Sequence, residues 1–310
     1  MRVIHNECLG AMKSPIAHAM KFLHRALVNI APEREQEFDD AYAYFQLEYV
    51  DSAKWICHVD PRKRFIRLSR RVVEVTWCAS YAYMVFYLKM IQGQRVHEAR
   101  EIDLHSDQEL SAAMQLLSWA YENWLNNEDT PWPDNLPQPE ESPRKGSFKQ
   151  VADELCLCAM AYILHHELAH IRLNHSPDEK STDAERDADY AAADWIMHPS
   201  LAEYDPKFVK RALGIAVALE VLTSRGIYTG EFADASHPPS YDRLVHTLRR
   251  FIDDPNHVVW GVVVATLKLH LDNASIPLPD ATYECFLDCV EDYANALSRG
   301  LAEKETPDAE

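Results

Sequence analysis

The sequence predicts a mainly α-helical chain of the α+β class, in which one short β-hairpin stands among long helices. Glycine is scarce, with 8 of 310 residues, against a usual share of about 7%. Hydrophobic residues make up 47% of the chain, enough for a large core. Apolar positions recur at helical spacing through most of its length. A single domain over 1–301 is expected: N-terminal helices and the hairpin in 1–126, a proline-rich surface loop in 127–147, further helices in 148–301, and a charged, disordered tail over 302–310.

Ser14-Pro15 supplies a cap and a first-turn proline for a helix carrying Ile16, Met20, Leu23, Leu27 and Ile30, which Pro32 ends. An acidic helix over 33–44 follows, its aromatic residues turned inward. Trp55 to Val59 and Phe65 to Leu68 flank Asp60-Pro61-Arg62-Lys63, the signature of a hairpin. Ser69 is placed to cap a helix from Arg70 to about Ile91, and Ser106 one over 108–126. Prolines 131, 133, 137, 139 and 143 forbid helix or strand in the segment that follows, read as a surface loop edging the active-site cleft. Helices are then expected over 148–174, 181–197, 205–223, 240–252, 257–271 and 280–301.

A net charge of −18 argues against a nucleic-acid binder, since phosphate contacts need a clustered basic surface. The basic group Arg62, Lys63, Arg64, Arg67, Arg70 and Arg71 is read as a solvated hairpin tip and edge. Seven cysteines, odd in number and with no signal peptide ahead of them, make no disulfide framework and point to a reducing cytoplasm. The longest uncharged run, Val75 to Leu88, falls short of the ~20 residues a spanning helix needs, so no stable membrane insertion is expected.

The chemistry is carried by His166-Glu167-Leu168-Ala169-His170, an HExxH pattern. Two histidines four apart share one face of a helix, so both rings reach one cation, and the glutamate between them serves as a base. A catalytic zinc needs a third protein ligand and a position left for water. The extended pattern HExxHxxGxxH is not met, because Leu173 and Ser176 stand where its glycine and histidine would be. His175, without the glycine turn, is expected to stay on the helix, about 140° round from His170. Downstream, Glu185 and Asp189 are four apart. A second helix can thus offer one carboxylate to the metal and the other to the spare N–H of a ligating histidine, and alanines at 188 and 191–193 let it approach closely.

Glu185-x-x-x-Asp189 with these alanines resembles the gluzincin peptidases, in which a glutamate on a second helix completes the zinc site. The resemblance implies Zn2+ held by His166, His170 and Glu185, with Asp189 orienting a ligand and Glu167 as general base. His237-Pro238 followed by Tyr241 and Arg243 is similar to a segment of HtpX-like gluzincins that faces the active site, which makes His237, Arg243 and Tyr241 candidates for stabilising the oxyanion. The order of hairpin, apolar helix, HHELAH, ERDADYAAADW and SHPPSYDRL, over about residues 50–250, resembles the phage-exclusion peptidase family typified by Lit. That resemblance implies a zincin-like fold and a regulated protease that cleaves elongation factor Tu when a phage peptide activates it. Another intracellular regulatory peptidase, or a zinc-stabilised binding protein without turnover, would use the same residues. The intact Glu167 speaks against the last, since a structural site needs no base. No oligomeric state follows from the sequence.

Overall fold

The computed structural model describes residues 2–4, 14–42, 45–97, 107–176, 181–198, 201–229 and 239–305. Strands β1 (Arg2–Ile4), β2 (Gln46–Val50), β3 (Cys57–Asp60) and β4 (Phe65–Ser69) form a sheet of order β1-β2-β4-β3. The expected hairpin is β3 with β4, antiparallel, pairing Cys57 with Leu68 and Asp60 with Phe65. Its turn closes where Asp60 Oδ1 accepts from the Lys63 amide at 3.0 Å, and Arg64 takes a left-handed φ of 52°. The sheet is larger than the hairpin signature implied, because β2 and β1 join it in parallel.

The first expected helix is divided into α1 (Ala17–Met20) and α2 (Leu23–Asn29), followed by a 3-10 turn at Pro32–Arg34 and α3 (Glu35–Tyr42). Ser14 ties this segment to the core through a hydroxyl that donates to Glu74 Oε1 at 2.6 Å. Helix α4 (Arg70–His97) runs past the expected end, and every residue from 70 to 83 is buried, the charged Arg70, Arg71 and Glu74 of its first turns included. Ser69 spends its hydroxyl on the hairpin, accepting from the Ile56 amide at 3.0 Å. Helix α5 (Gln108–Leu125) is capped by Asp107, whose Oδ1 accepts from the amides of Glu109 and Leu110, and Ser106 lies outside the described residues.

The basic group divides. Arg62, Lys63 and Arg67 are exposed at the hairpin. Arg70 and Arg71, only 8% and 0% exposed, are interior. Arg70 pairs with Asp51, Glu74 and Asp129, and Arg71 donates to the carbonyls of Ala53 and Glu128. The start of α4 is thereby fastened to the sheet and to the proline-rich segment. That segment has no regular element, as expected, yet it is anchored: Trp132 meets Trp77 and Trp119 and donates its indole N–H to Pro137 O at 3.0 Å. It lies along α4, α5 and the N-terminal end of α6, where Lys149 pairs with Glu140. The histidine motif is at the other end of α6, roughly 25 Å along the helix axis, so the loop's anchors are not at the cleft.

Helices α6 (Phe148–Arg172), α7 (Thr182–Ile196), α8 (Pro206–Thr229), α9 (Ser240–Leu248), α10 (Val258–Asn273) and α11 (Phe286–Glu305) complete the fold. The chain is mainly helical with a small β component. Helix α11 continues through Glu305, four residues into the stretch expected to be a tail, and 306–310 lie outside the described residues. Helix α6 packs on α2, α4, α7, α8 and β3. Its approach to α8 is close because Gly214 has no side chain: a Cβ there would stand 2.4 Å from Cys158 Cβ. Among the described residues no helix is long and apolar enough to cross a membrane, and the six described cysteines are all free.

Candidate metal centre

Helix α6 begins at Ser147, whose hydroxyl accepts from the Gln150 amide. It presents Tyr162, His166 and His170 in successive turns of one face, as i, i+4 spacing requires. Its end differs from the expectation. Asn174 takes a left-handed φ of 56°, so the amides of Asn174 and His175 return to the carbonyls of Ile171 and His170, the Schellman arrangement that glycine usually supplies. The chain therefore turns back, and His175 leaves the helix. Its Nδ1 comes to 2.9 Å from His170 Nδ1.

Helix α7 starts at Ser181, which accepts from the Ala184 amide. It buries Ala188, Ala192 and Ala193 against its neighbours, and the small side chains let its acids reach α6. His166 Nε2 and His170 Nε2 are 3.1 Å apart, and they stand 3.3 and 3.5 Å from the two oxygens of Glu185. A tetrahedral ion with bonds of about 2.0–2.1 Å has edges of about 3.3–3.4 Å, so these donors fit one small cation. Among the described residues they are the single such group.

The far side of each ring fits the same assignment. His166 Nδ1 lies 2.9 Å from Asp189 Oδ1, and His170 Nδ1 faces His175. Partners at both Nδ1 atoms leave both Nε2 lone pairs directed at the shared point. Asp189, 1% exposed, also accepts from the Tyr162 hydroxyl at 2.8 Å. The Arg243 guanidinium of α9 reaches it with Nε to Oδ2 at 2.7 Å and Nη2 to Oδ1 at 2.8 Å.

The titratable groups of the centre act strongly on one another. Burial disfavours a charged His166, but the carboxylates of Asp189 and Glu185 outweigh it and raise the pKa to about 10. Burial, then the charge on His166, pushes His170 down to about 3. Burial would raise Glu185, yet His166 and then Arg243 hold it at about 2. In the protein alone, the two acids favour the protonated form of His166. A cation between the donors would take over that charge and leave His166 Nε2 free to bind it.

Glu167 is half-buried, and burial raises its carboxyl above the usual range. Its Oε1 accepts from the Cys57 thiol of β3 at 3.3 Å. Of the remaining sequence candidates, Arg243 lies in the centre but spends its donors on Asp189 and stands 3.6 Å from Glu185 Oε2. Tyr241 is packed in the core at 5% exposure. His237 lies outside the described residues. His165 faces away from the cluster, with Nε2 3.0 Å from Leu27 O and its ring stacked on Trp195. Tyr162 and Cys57 were not foreseen. Tyr162 had a signal, since it precedes His166 by one turn. Nothing in its local sequence marks Cys57.

A profile of the Peptidase U49 family matches residues 66–263, which span both helices of the centre and the α9 arginine. The chain is 32% identical over 294 residues to the Cell death peptidase of Escherichia coli (strain K12), covering 89% of this chain and 96% of that protein. No solved structure matches it significantly.

Proposed function

Because this chain belongs to the Peptidase U49 family, we propose that it hydrolyses peptide bonds as a zinc-dependent endopeptidase of the gluzincin type. The observation that carries this reading is the convergence of His166 Nε2, His170 Nε2 and the Glu185 carboxylate, with Glu167 the residue after the first of them. Two imidazoles and one carboxylate are one of the ligand sets of catalytic zinc sites, which leave a fourth position for water or substrate. Zinc, when bound, lowers the pKa of water toward about 7 and polarises a carbonyl.

The protein's own groups do the rest. His166, His170 and Glu185 hold the ion, and Asp189 and His175 fix the two rings. Glu167 takes the proton from the attacking water and returns it to the leaving amine. Its burial suits both steps, because a raised pKa strengthens the carboxylate as a base and brings it nearer the working pH, where its acid form is populated for the return of the proton. Arg243 is assigned to holding Asp189 and Glu185 in place, since its hydrogen bonds already go to Asp189. The oxyanion role stays with His237, with Tyr241 as the weaker candidate.

Strand β3 is one of the two edges of the described sheet, and it touches α6. An extended segment of substrate can pair with it by strand addition, which lays a scissile bond over the centre. A protein or peptide is thus the substrate class. Elongation factor Tu, with an activating phage peptide, is the first candidate, on the strength of the Lit-like sequence pattern. The free cysteines support a cytoplasmic setting.

The test is Glu167→Gln. The variant should keep one zinc per chain and lose turnover by about 10²–10⁴-fold. New termini appearing in a bacterial lysate, with or without phage infection, should be present with the wild-type protein and absent with the variant. Equal cleavage by both proteins would overturn the reading.

A further inference from the structure

The centre has a contact that metal binding does not require. Cys57, on β3, touches Glu167, on α6, with Sγ 3.3 Å from Oε1. Burial, reinforced by the neighbouring carboxylate, pushes the Cys57 thiol well above its ordinary range, so the sulfur keeps its proton and donates. One oxygen of the proposed base is thereby held.

The main chain of the same residue faces elsewhere. The Ser69 amide donates to Ile56 O at 2.8 Å, and the Ile56 amide donates to Ser69 Oγ at 3.0 Å. Both main-chain groups of Ile56 are therefore turned toward β4. In an antiparallel pair the direction alternates residue by residue. With Cys57 opposite Leu68 and His58 opposite Arg67, it is Cys57 and Val59 that turn N–H and C=O to the open edge. These are the groups an added strand would bond.

We infer that Cys57 is a positioning residue that joins the two halves of the reaction, its main chain pairing with the substrate and its thiol fixing the general base. The inference rests on the peptidase reading given above. Strand pairing at Cys57 would set the residue's height over α6 and, through the thiol, the rotamer of Glu167. The base would then be held in its working position when the edge is filled.

Steady-state kinetics of zinc-loaded Cys57→Ala, Cys57→Ser and Glu167→Gln decide it, alongside infrared spectra of the S–H stretch in wild type and Glu167→Ala. Cys57→Ala should lower kcat about tenfold, the usual effect of losing a hydrogen bond to a charged group, with KM within about twofold and zinc content unchanged. Cys57→Ser restores a donor and should recover kcat to within about threefold. The wild-type spectrum should contain a hydrogen-bonded S–H band that Cys57→Ala removes and Glu167→Ala shifts to higher frequency. Wild-type kcat in Cys57→Ala, or an equal loss in the Ala and Ser variants, would overturn the positioning role. A Glu167→Gln variant that still turned over would instead overturn the peptidase reading, and the infrared arm would still report the contact.

Discussion

Arg243 and Asp189 form a buried two-bond pair behind the metal-binding face, joining α9 to α7 through distances of 2.7 and 2.8 Å. Asp189 Oδ1 is also the atom that faces His166 Nδ1 and accepts from Tyr162. A single carboxylate thus ties three helices together and stands behind the ring of one proposed ligand.

Arg243→Met keeps much of the length and removes the charge. Asp189 would be left buried without its strongest partner, which costs about 3–5 kcal/mol when one member of such a pair is removed. Denaturant titration should show that loss, and zinc affinity should fall about 10–100-fold because His166 is no longer oriented. The pH dependence has a definite sign. Burial would raise the Asp189 carboxyl, but Arg243 and then His166 hold it well below the usual carboxylate range. A depressed folded pKa contributes stability that is complete above the unfolded value of about 3.9 and is lost as pH falls through the folded value. Asp189→Asn should therefore lie furthest below wild type in stability above about pH 4 and converge with it in acid.

Glu185→Ala tests the ligand set without touching the HExxH helix. A ligand that binds only the folded state stabilises it by RT ln(1 + [L]/Kd), about 2.7 kcal/mol at a hundredfold excess over Kd. Zinc added to the chelator-treated wild-type protein should raise Tm, and the rise should be absent or much smaller in Glu185→Ala. An equal rise in both would remove Glu185 from the site.

His175→Ala should weaken zinc binding about 10–100-fold, because the Nδ1 of His170 loses the partner 2.9 Å away. The turn that delivers His175 gives a separate check. Asn174→Gly keeps the left-handed conformation available and should retain affinity. Asn174→Val, a β-branched residue at φ 56°, should lower both Tm and affinity.

The convergence of His166, His170, Glu185 and Asp189 was legible because helical periodicity converts four-residue spacing into one face. The same rule would have reached Tyr162, one turn before His166. The long helices were legible from their apolar stripes, and the hairpin from its turn residues. What escaped depended on partners distant in the chain. Parallel pairing of β1 and β2 leaves no local turn to read. Ser69 was read as a cap but its hydroxyl meets the Ile56 amide, and Arg70 and Arg71 looked solvated because Asp51 and Asp129, which receive the first, and the carbonyls of Ala53 and Glu128, which receive the second, lie far off in the sequence. His175 was misplaced for a local reason: the glycine of the longer zinc motif was sought, while asparagine at 174 supplied the same left-handed turn. Cys57 was beyond reach, since only the fold brings it to Glu167 across 110 positions.

Gly214 sets how closely α8 approaches α6. It lies on α8 where that helix crosses α6, and a methyl group there would meet Cys158 Cβ at 2.4 Å and the Cys158 carbonyl carbon at 2.9 Å. A flexible side chain could swing aside, but a Cβ and a backbone carbon cannot, so the helices must separate. Overpacking of this kind costs about 1–3 kcal/mol, occasionally more, against a gain of up to about 1 kcal/mol from alanine's better helix propensity. Gly214→Ala should thus destabilise on balance. Because α6 carries His166 and His170 eight and twelve positions beyond Cys158, the displacement should also weaken zinc binding. Exchanging the small residue, Cys158→Gly with Gly214→Ala, removes the Cβ contact while leaving the backbone one. The double variant should recover part of the loss in a double-mutant cycle. Strict additivity of the two single changes would mean that α6 and α8 do not meet at this point.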